Sequence, residues 1–486
     1  MSFIKNFNYL PLKKLFNFVH VHLLVKFNTS IHTDSQNQRI INNKNKVKNN
    51  KMCAFKLIDY DCIGFDLDHT LLWYNVTNMV EMEYKILANY LVNKKGYNPD
   101  YLQRPLNEQD IDFMQKGLIL DFDRGNILKP DSDGIIRQAN HGSKSLTADE
   151  INSIYPDKRW DAIDALISNP LDVWNGPYSQ KIRSLLDYFD MPGCLAFARA
   201  IDDIDSRNGK ISDKYEVWTD ILNALTNMYD REHFKKNLGD YFVTLKADPD
   251  KYLRKCSKEI ISWLRELKKT KVTYLITGSN ADFADFTSRH TIGDDWRSLF
   301  DIVICFAKKP GFFTDRRPFF ELDGFAEAGE VEGKELTRGG IYSQGNWGEM
   351  KDFFSRITGV ENPKCLYVGD NLIQDIYVPA RYDLDTVVVS EEMHAEGMDH
   401  MSMSHPDAKT ILSNYWGSYF STKSDGTDNL YKSYWSYLIE NYSKICIPSI
   451  KMIACNPLDK TYQAFDKNDS SKHGYYPAKP NGLCKN

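Results

Sequence analysis

The nine cysteines include no C-x-x-C pair, and their number is odd. That excludes a zinc site built on paired thiols and offers no disulfide framework, so the thiols read as reduced and intracellular. Long apolar runs are missing too. A spanning helix needs roughly 18–20 apolar residues, and the longest early run, Phe18 to Val25, is broken by two histidines. No internal repeat is present. These absences lead to the expectation of a soluble protein with no membrane partner. Outside the first 52 positions basic residues are outnumbered, 52 Lys+Arg against 65 Asp+Glu. The chain has 61 Lys+Arg against 66 Asp+Glu, a net charge of −5 over 486 residues. Residues 1–52 hold nine Lys/Arg and one acid, Asp34, and sum to +8, which leaves −13 for the other 434 residues. So acidic a body lacks the basic face that neutralises phosphate backbones, and no nucleic-acid partner is expected.

What is present is ordinary globular composition, 42% apolar and 26% charged, over a length that exceeds one compact domain. The leader, residues 1–52, is rich in Asn, Lys, Ile and Phe. It reads as a disordered basic arm or as a segment foreign to the native protein, with Met52 just ahead of the first strand. A mitochondrial transit peptide is the alternative, since the first half is acid-free and amphipathic. The localisation expected is therefore cytoplasmic, or mitochondrial if the leader is a genuine transit peptide.

Short apolar runs recur along the body: Cys62–Asp66, which ends in a carboxylate, Val272–Ile276, Asp301–Cys305, Cys365–Val368 and Thr386–Val389. Near-continuous apolar runs of this length suit strands buried on both faces. A helical pattern over Leu253–Lys269, with Ile260, Ile261, Leu264 and Leu267 in phase, lies among them. The alternation predicts an α/β fold, a doubly wound parallel sheet with its site at the carboxyl ends of the strands. Asp66, Thr277 and Asp370 stand at those ends. The 206 residues between Thr70 and Thr277 exceed any crossover and predict a large, mainly helical inserted cap domain. Helices are expected at 76–95, 161–168, 190–208 and 217–238. The division expected is a catalytic core at 53–80 and 258–400, a cap at 81–257, and a C-terminal helical segment with a flexible tail at 401–486.

The chemistry is concentrated in Asp66-Leu67-Asp68-His69-Thr70-Leu71. Buried carboxylates need partners, so two acids at one strand end ask for a chemical reason. Phosphoryl transfer supplies one. A first carboxylate attacks phosphorus, and a second protonates the leaving alkoxide and then deprotonates water. A hard cation such as Mg²⁺ would neutralise the phosphate.

These residues resemble the haloacid dehalogenase-like superfamily, and four ordered motifs carry the likeness. The resemblance implies Asp66 as nucleophile, Asp68 as general acid/base and Lys309, in Lys308-Lys309-Pro310-Gly311-Phe312-Phe313, as the charge-stabilising lysine. It implies phosphoryl binding by Thr277, with Gly278 and Ser279 beside it. Mg²⁺ would be held by Asp66, the backbone carbonyl of Asp68, and Asp370, with Asp375 orienting Lys309 or a metal-bound water. Asp68 points to phosphatases and mutases, because dehalogenases lack that acid. The Gly64–Leu71 run, the Lys309–Phe313 run and Tyr342-Ser343-Gln344-Gly345-Asn346 are similar to the cytosolic purine 5′-nucleotidase family and, within it, to a subgroup of nucleotidase domain-containing proteins.

The function this implies is a Mg²⁺-dependent 5′-nucleotidase acting on a small phosphomonoester, a nucleoside 5′-monophosphate, through an aspartyl phosphate. Family likeness also suggests a homo-oligomer. Phe189 would stack on a base as a substrate-binding residue, with a core aromatic as the plainer reading. The family's specificity pattern D-V-R-D-A-V-D becomes Asp220-Ile221-Leu222-Asn223-Ala224-Leu225-Thr226, which leaves base preference open. A regulatory or scaffold protein that keeps the fold is the alternative, with a protein phosphatase third, because protein phosphatases with this motif have small open caps.

Overall fold

The computed structural model describes residues 54–401, 405–423, 429–466, 469 and 473–484. The leader, residues 1–52, lies outside the described residues. Nine strands form the central sheet, in the order Ala326–Val331, Phe319–Asp323, Gly340–Gln344, Ile302–Cys305, Val272–Ile276, Cys62–Phe65, Cys365–Gly369, Asp385–Val389 and Ile445–Ile447. The last seven are parallel throughout, and the first two form an antiparallel hairpin at one edge. Cys62–Phe65, which leads into Asp66, lies between Val272–Ile276 and Cys365–Gly369. The two flanking strands deliver Thr277 and Asp370 to the same edge.

Alternate strand residues go to opposite faces. Ile63, Phe65, Leu275 and Val368 pack in one core, and Cys62, Tyr274, Ile304 and Tyr367 in the other. Helix Lys258–Lys268 closes the first face with Ile260, Trp263, Leu264 and Leu267. Helix Trp347–Thr358 closes the second with Met350, Phe353 and Phe354. Burial on both faces is why these strands read as unbroken apolar runs. The protein is therefore doubly wound α/β, as expected. Gly64 permits the tightest approach in the sheet, since a Cβ there would lie 1.9 Å from the Tyr274 ring. That ring is nearly parallel to Tyr367, and its hydroxyl donates to Leu366 O at 2.8 Å.

The chain leaves the core through Trp73–Tyr74 and returns through Leu253–Arg254, and the two strands pair antiparallel. The insertion thus spans 75–252. The expected boundary at 80/81 falls inside helix Val76–Tyr90, which lies wholly within the insertion, because apolar patterning does not mark where the chain passes from core to cap. Helices Asp161–Ser168 and Pro192–Asn208 form where helices were expected, whereas the one expected over 217–238 ends at Met228 and a separate short helix, Arg231–Lys236, follows. The cap also contains a five-stranded antiparallel sheet, ordered Lys144–Ser145, Ile136–His141, Asn126–Pro130, Ile119–Asp121 and Ile182–Ser184, which the sequence reading did not include.

The C-terminal segment differs from the expectation of a helix and a flexible tail. Helix Tyr434–Tyr442 is present, but Ile445–Ile447 follows it as an edge strand of the central sheet, so the core extends beyond residue 400. Tyr462–Gln463 pairs with Ala54–Phe55, and Tyr475, buried, bridges to Cys446. The same segment grips the cap. The indole of Trp416 donates to Phe113 O at 2.7 Å, that of Trp435 to Gly117 O at 2.8 Å, and the Lys129 amine to the carbonyls of Trp416 and Ser418. No helix among the described residues is long and apolar enough to cross a membrane.

Candidate active site

Asp66 continues the central strand, and its N–H donates to Val368 O at 2.8 Å. Its carboxylate, 3% exposed, receives the Lys309 amine at 2.8 Å. Lys309 also donates to Asp375 at 2.6 Å and to the Tyr367 hydroxyl at 3.2 Å. Burial works against charge on this lysine, but Asp375 and Asp66 outweigh it and raise its pKa. Asp375 sits in a π-helical turn, Leu372–Tyr377, capped by Asn371, whose side chain accepts the N–H groups of Ile373 and Gln374. Its second oxygen accepts the N–H of Asn371 at 3.1 Å. Both oxygens of Asp375 are thus engaged, one of them in aiming Lys309.

Asp66, Asp370 and Asp375 each offer a carboxylate oxygen, all lying within 4.8 Å of one another and all buried. Lys309 pairs directly with two of these three acids, Asp66 and Asp375. Burial pushes Asp375 up to about 7, with Lys309 opposing and Asp66 adding to the rise. Burial likewise pushes Asp370 well above the usual carboxylate range, with Lys116 opposing and Asp187 adding to it. A set of hard oxygen donors short of positive charge fits a hard divalent cation.

The carboxylate of Asp68 faces elsewhere. It accepts the Tyr74 hydroxyl at 2.6 Å on one oxygen and the Ser279 hydroxyl at 2.7 Å on the other. Burial, followed by the charge of Asp66, raises its pKa, which suits a proton donor. Thr277 is buried at the end of its strand, where its N–H donates to Ile304 O and its hydroxyl accepts the N–H of Ser279 at 3.0 Å. Gly278 lies between them, partly exposed. Asn280 then opens helix Ala281–Thr291, so a positive helix end begins three residues past Thr277. Asp66, Asp68, Thr277, Ser279, Lys309, Asp370 and Asp375 therefore converge at one edge of the sheet.

Phe189 is buried in the cap wall, with ring centroids 5.2 Å from Tyr74, 5.1 Å from His69 and 6.2 Å from Tyr229. Its ring packs edge-on against protein side chains next to the Asp68 clamp. His69 has φ +55° and points into a buried hydrogen bond with Glu391 at 3.1 Å, in keeping with a structural role. Arg289 stands at the far end of its helix, paired to Asp285, and does not reach the site. In the stretch 220–226, Asp220 pairs with Lys95 at 2.8 Å and Asn223 is exposed.

Sequence reasoning missed four supporting residues. Tyr74 clamps Asp68. Glu391 holds both His69 and His405, the latter at 3.0 Å. Glu392 pairs with Lys116 of the cap at 2.6 Å and accepts the hydroxyls of Tyr188 at 2.6 Å and Ser390 at 2.7 Å. Ser390-Glu391-Glu392 directly follows the strand Asp385–Val389, and two acids at a strand end was the signal that singled out Asp66.

Residues 49–411 match the model of the 5′ nucleotidase family. The chain is 35% identical over 447 residues to the Bos taurus 5′-nucleotidase domain-containing protein 1, covering 88% of this chain and 96% of that protein. The Homo sapiens counterpart is 36% identical over 451 residues, with the same coverage. Among solved structures, the magnesium-bound HAD-hydrolase YfnB from Bacillus subtilis is similar at 10% identity and a TM-score of 0.24, over 69% of this chain and 90% of that one.

Proposed function

This chain belongs to the 5′ nucleotidase family and is a phosphoric monoester hydrolase, and on that footing we propose that it is a Mg²⁺-dependent phosphatase of nucleoside 5′-monophosphates that works through an aspartyl phosphate. The observation that carries the reading is the joint placement of two aspartates in different electrostatic settings. Asp66 is paired with the Lys309 amine at 2.8 Å, and Asp68 is clamped by Tyr74 and Ser279 with its pKa raised, by burial first. One carboxylate held by a cation and a neighbouring one held by two hydroxyls suit the two roles of nucleophile and acid/base partner.

In the first half-reaction, an Asp66 oxygen forms a bond to phosphorus as the P–O bond to the nucleoside breaks, and Asp68 gives its proton to the leaving 5′-oxygen. In the second, Asp68 takes a proton from water while that water attacks the phosphorus, and Asp66 is released as a carboxylate. Lys309 holds the Asp66 carboxylate in place, and Asp375 holds Lys309. Thr277 and the opening of helix Ala281–Thr291 lie where phosphoryl oxygens would be bound. Asp66 and Asp370, with the backbone carbonyl of Asp68, would hold the Mg²⁺, whose contribution is to neutralise phosphate charge. Phe189 and Tyr188 form part of the cap wall on the leaving-group side.

The test is a panel of phosphomonoesters, with phosphopeptides included, assayed with Mg²⁺ on protein from Met52 onward. Release from nucleoside 5′-monophosphates that is abolished by Asp66→Asn, with Asp68→Asn retaining binding but not turnover, is the expected result. Release that survives Asp66→Asn refutes the mechanism, and silence across the panel returns the protein to the scaffold reading.

A further inference from the structure

Glu391 and Glu392 are adjacent, both at most 2% exposed, and face opposite ways. Glu391 reaches back into the core to the acid/base loop. Its carboxylate holds His69 at 3.1 Å, and His69 directly follows Asp68 in a left-handed conformation that a β-carbon-bearing residue seldom adopts. Its other oxygen takes His405 at 3.0 Å, and His405 accepts the N–H of Asp407. Asp407 in turn accepts the N–H groups of Val76 and Thr77 at the first turn of the cap. Glu392 reaches up into the cap, where it receives the Lys116 amine and the Tyr188 hydroxyl, each at 2.6 Å. The same amine lies 4.6 Å from the centroid of the Tyr188 ring. Tyr188 precedes Phe189, and the rings of both pack on His69. Buried charges this close are retained only with full pairing, and removing one partner leaves the other stranded.

We infer that Glu391-Glu392 is a positioning pair that registers the leaving-group wall of the cap against the acid/base Asp68, with Glu391 fixing the Asp68–His69 loop and Glu392 fixing Tyr188–Phe189 through Lys116. The inference rests on the phosphatase reading and adds a specificity element to it. Neither glutamate touches the reacting atoms. Glu392 acts on which leaving group is accepted, and Glu391 on how well any leaving group is protonated.

Two readouts test it, using the full chain. The first compares a nucleoside 5′-monophosphate with ethyl phosphate, whose leaving group is small but is an alkoxide that needs the same protonation. For Glu392→Gln and Lys116→Met, kcat/KM for the nucleotide should fall about tenfold more than for the small ester, mostly through KM. For Glu391→Gln, both substrates should lose kcat by the same factor, so their ratio stays within about twofold. Lys116→Arg, which keeps the charge, should restore most of the nucleotide preference. The second readout is hydrogen exchange, which needs no turnover. Glu392→Gln should speed exchange at the amides of 185–191 and leave those of 70–72 alone, and Glu391→Gln should do the reverse.

Equal losses on both substrates for Glu392→Gln, or faster exchange at both segments in either variant, overturn the inference while leaving the phosphatase reading in place. A wild-type protein that is silent on every phosphomonoester overturns the reading, and the exchange pattern then still decides whether the two glutamates divide their work as stated.

Discussion

Lys309→Met tests the electrostatic argument most directly. The substitution keeps most of the stem and removes the amine that bonds Asp66 at 2.8 Å and Asp375 at 2.6 Å. Both carboxylates are buried, and the lysine side chain itself is fully so. Breaking a buried pair by deleting one partner costs about 3–5 kcal/mol, because the stranded charge keeps its desolvation penalty. For a body of about 430 residues, that corresponds to a fall in melting temperature of about 3–6 °C. The chemical loss is separate. Removing a preorganised positive group at a site of developing charge costs about 10²–10³ in turnover. Phosphate release and thermal melting, each measured across a Mg²⁺ titration, separate the two. Added Mg²⁺ should recover part of the melting temperature, since the cation and the lysine compensate the same carboxylates. It should not recover the rate, since Asp66 is no longer held. A folded Lys309→Met protein that keeps more than about a tenth of wild-type kcat/KM, or that melts at the wild-type temperature without metal, refutes the reasoning.

Three further outcomes follow from the same geometry. Gly64→Ala should destabilise by about 1–3 kcal/mol, because the new Cβ would fall 1.9 Å from the Tyr274 ring; Tyr274→Leu in the same chain should relieve part of it, and denaturant melts check both. Tyr74→Phe should lower kcat about tenfold, since Asp68 loses one of its two clamps, and phosphate-release kinetics measure it. Lys129, buried among carbonyls, has its pKa lowered to about 7 by burial. Between pH 7 and its unfolded value near 10.5, the unfolded chain carries the extra proton, so this group makes the fold more stable as pH rises through that window. The stability difference between wild type and Lys129→Met should therefore shift in favour of wild type from pH 7 to pH 10, as read by melts at each pH.

The sheet and its acids were legible because burial on both faces writes itself as unbroken apolar runs, and a carboxylate at the end of such a run has few other reasons to be there. Asp66, Thr277 and Asp370 stood out in this way. The cap sheet did not, because its strands carry Asn126, Lys129, Arg137 and Asn140 at positions where alternation would place apolar side chains. Those polar groups are satisfied by distant partners such as Tyr155, Trp416 and Tyr415, which no local pattern discloses. The strand at Ile445–Ile447 was missed for a related reason, since three residues give too short a run to separate from a helix end. Tyr74, Lys116 and Glu392 become functional only through contacts 6, 276 and 204 positions away along the chain.

The pairing of Trp73–Tyr74 with Leu253–Arg254 has a consequence for how the two bodies evolve and can be engineered. Seen from the sheet, an insertion of 178 residues, 75 to 252, enters and leaves as the two legs of a hairpin. A floppy loop of that length would cost about 3 kcal/mol more to close than a four-residue turn, on logarithmic scaling. A folded insert whose ends already meet spares the core that cost. The cap can thus be remodelled, lengthened or exchanged for another body with adjacent termini while the catalytic edge below keeps its geometry, provided the replacement also satisfies Glu392 and the C-terminal clasp.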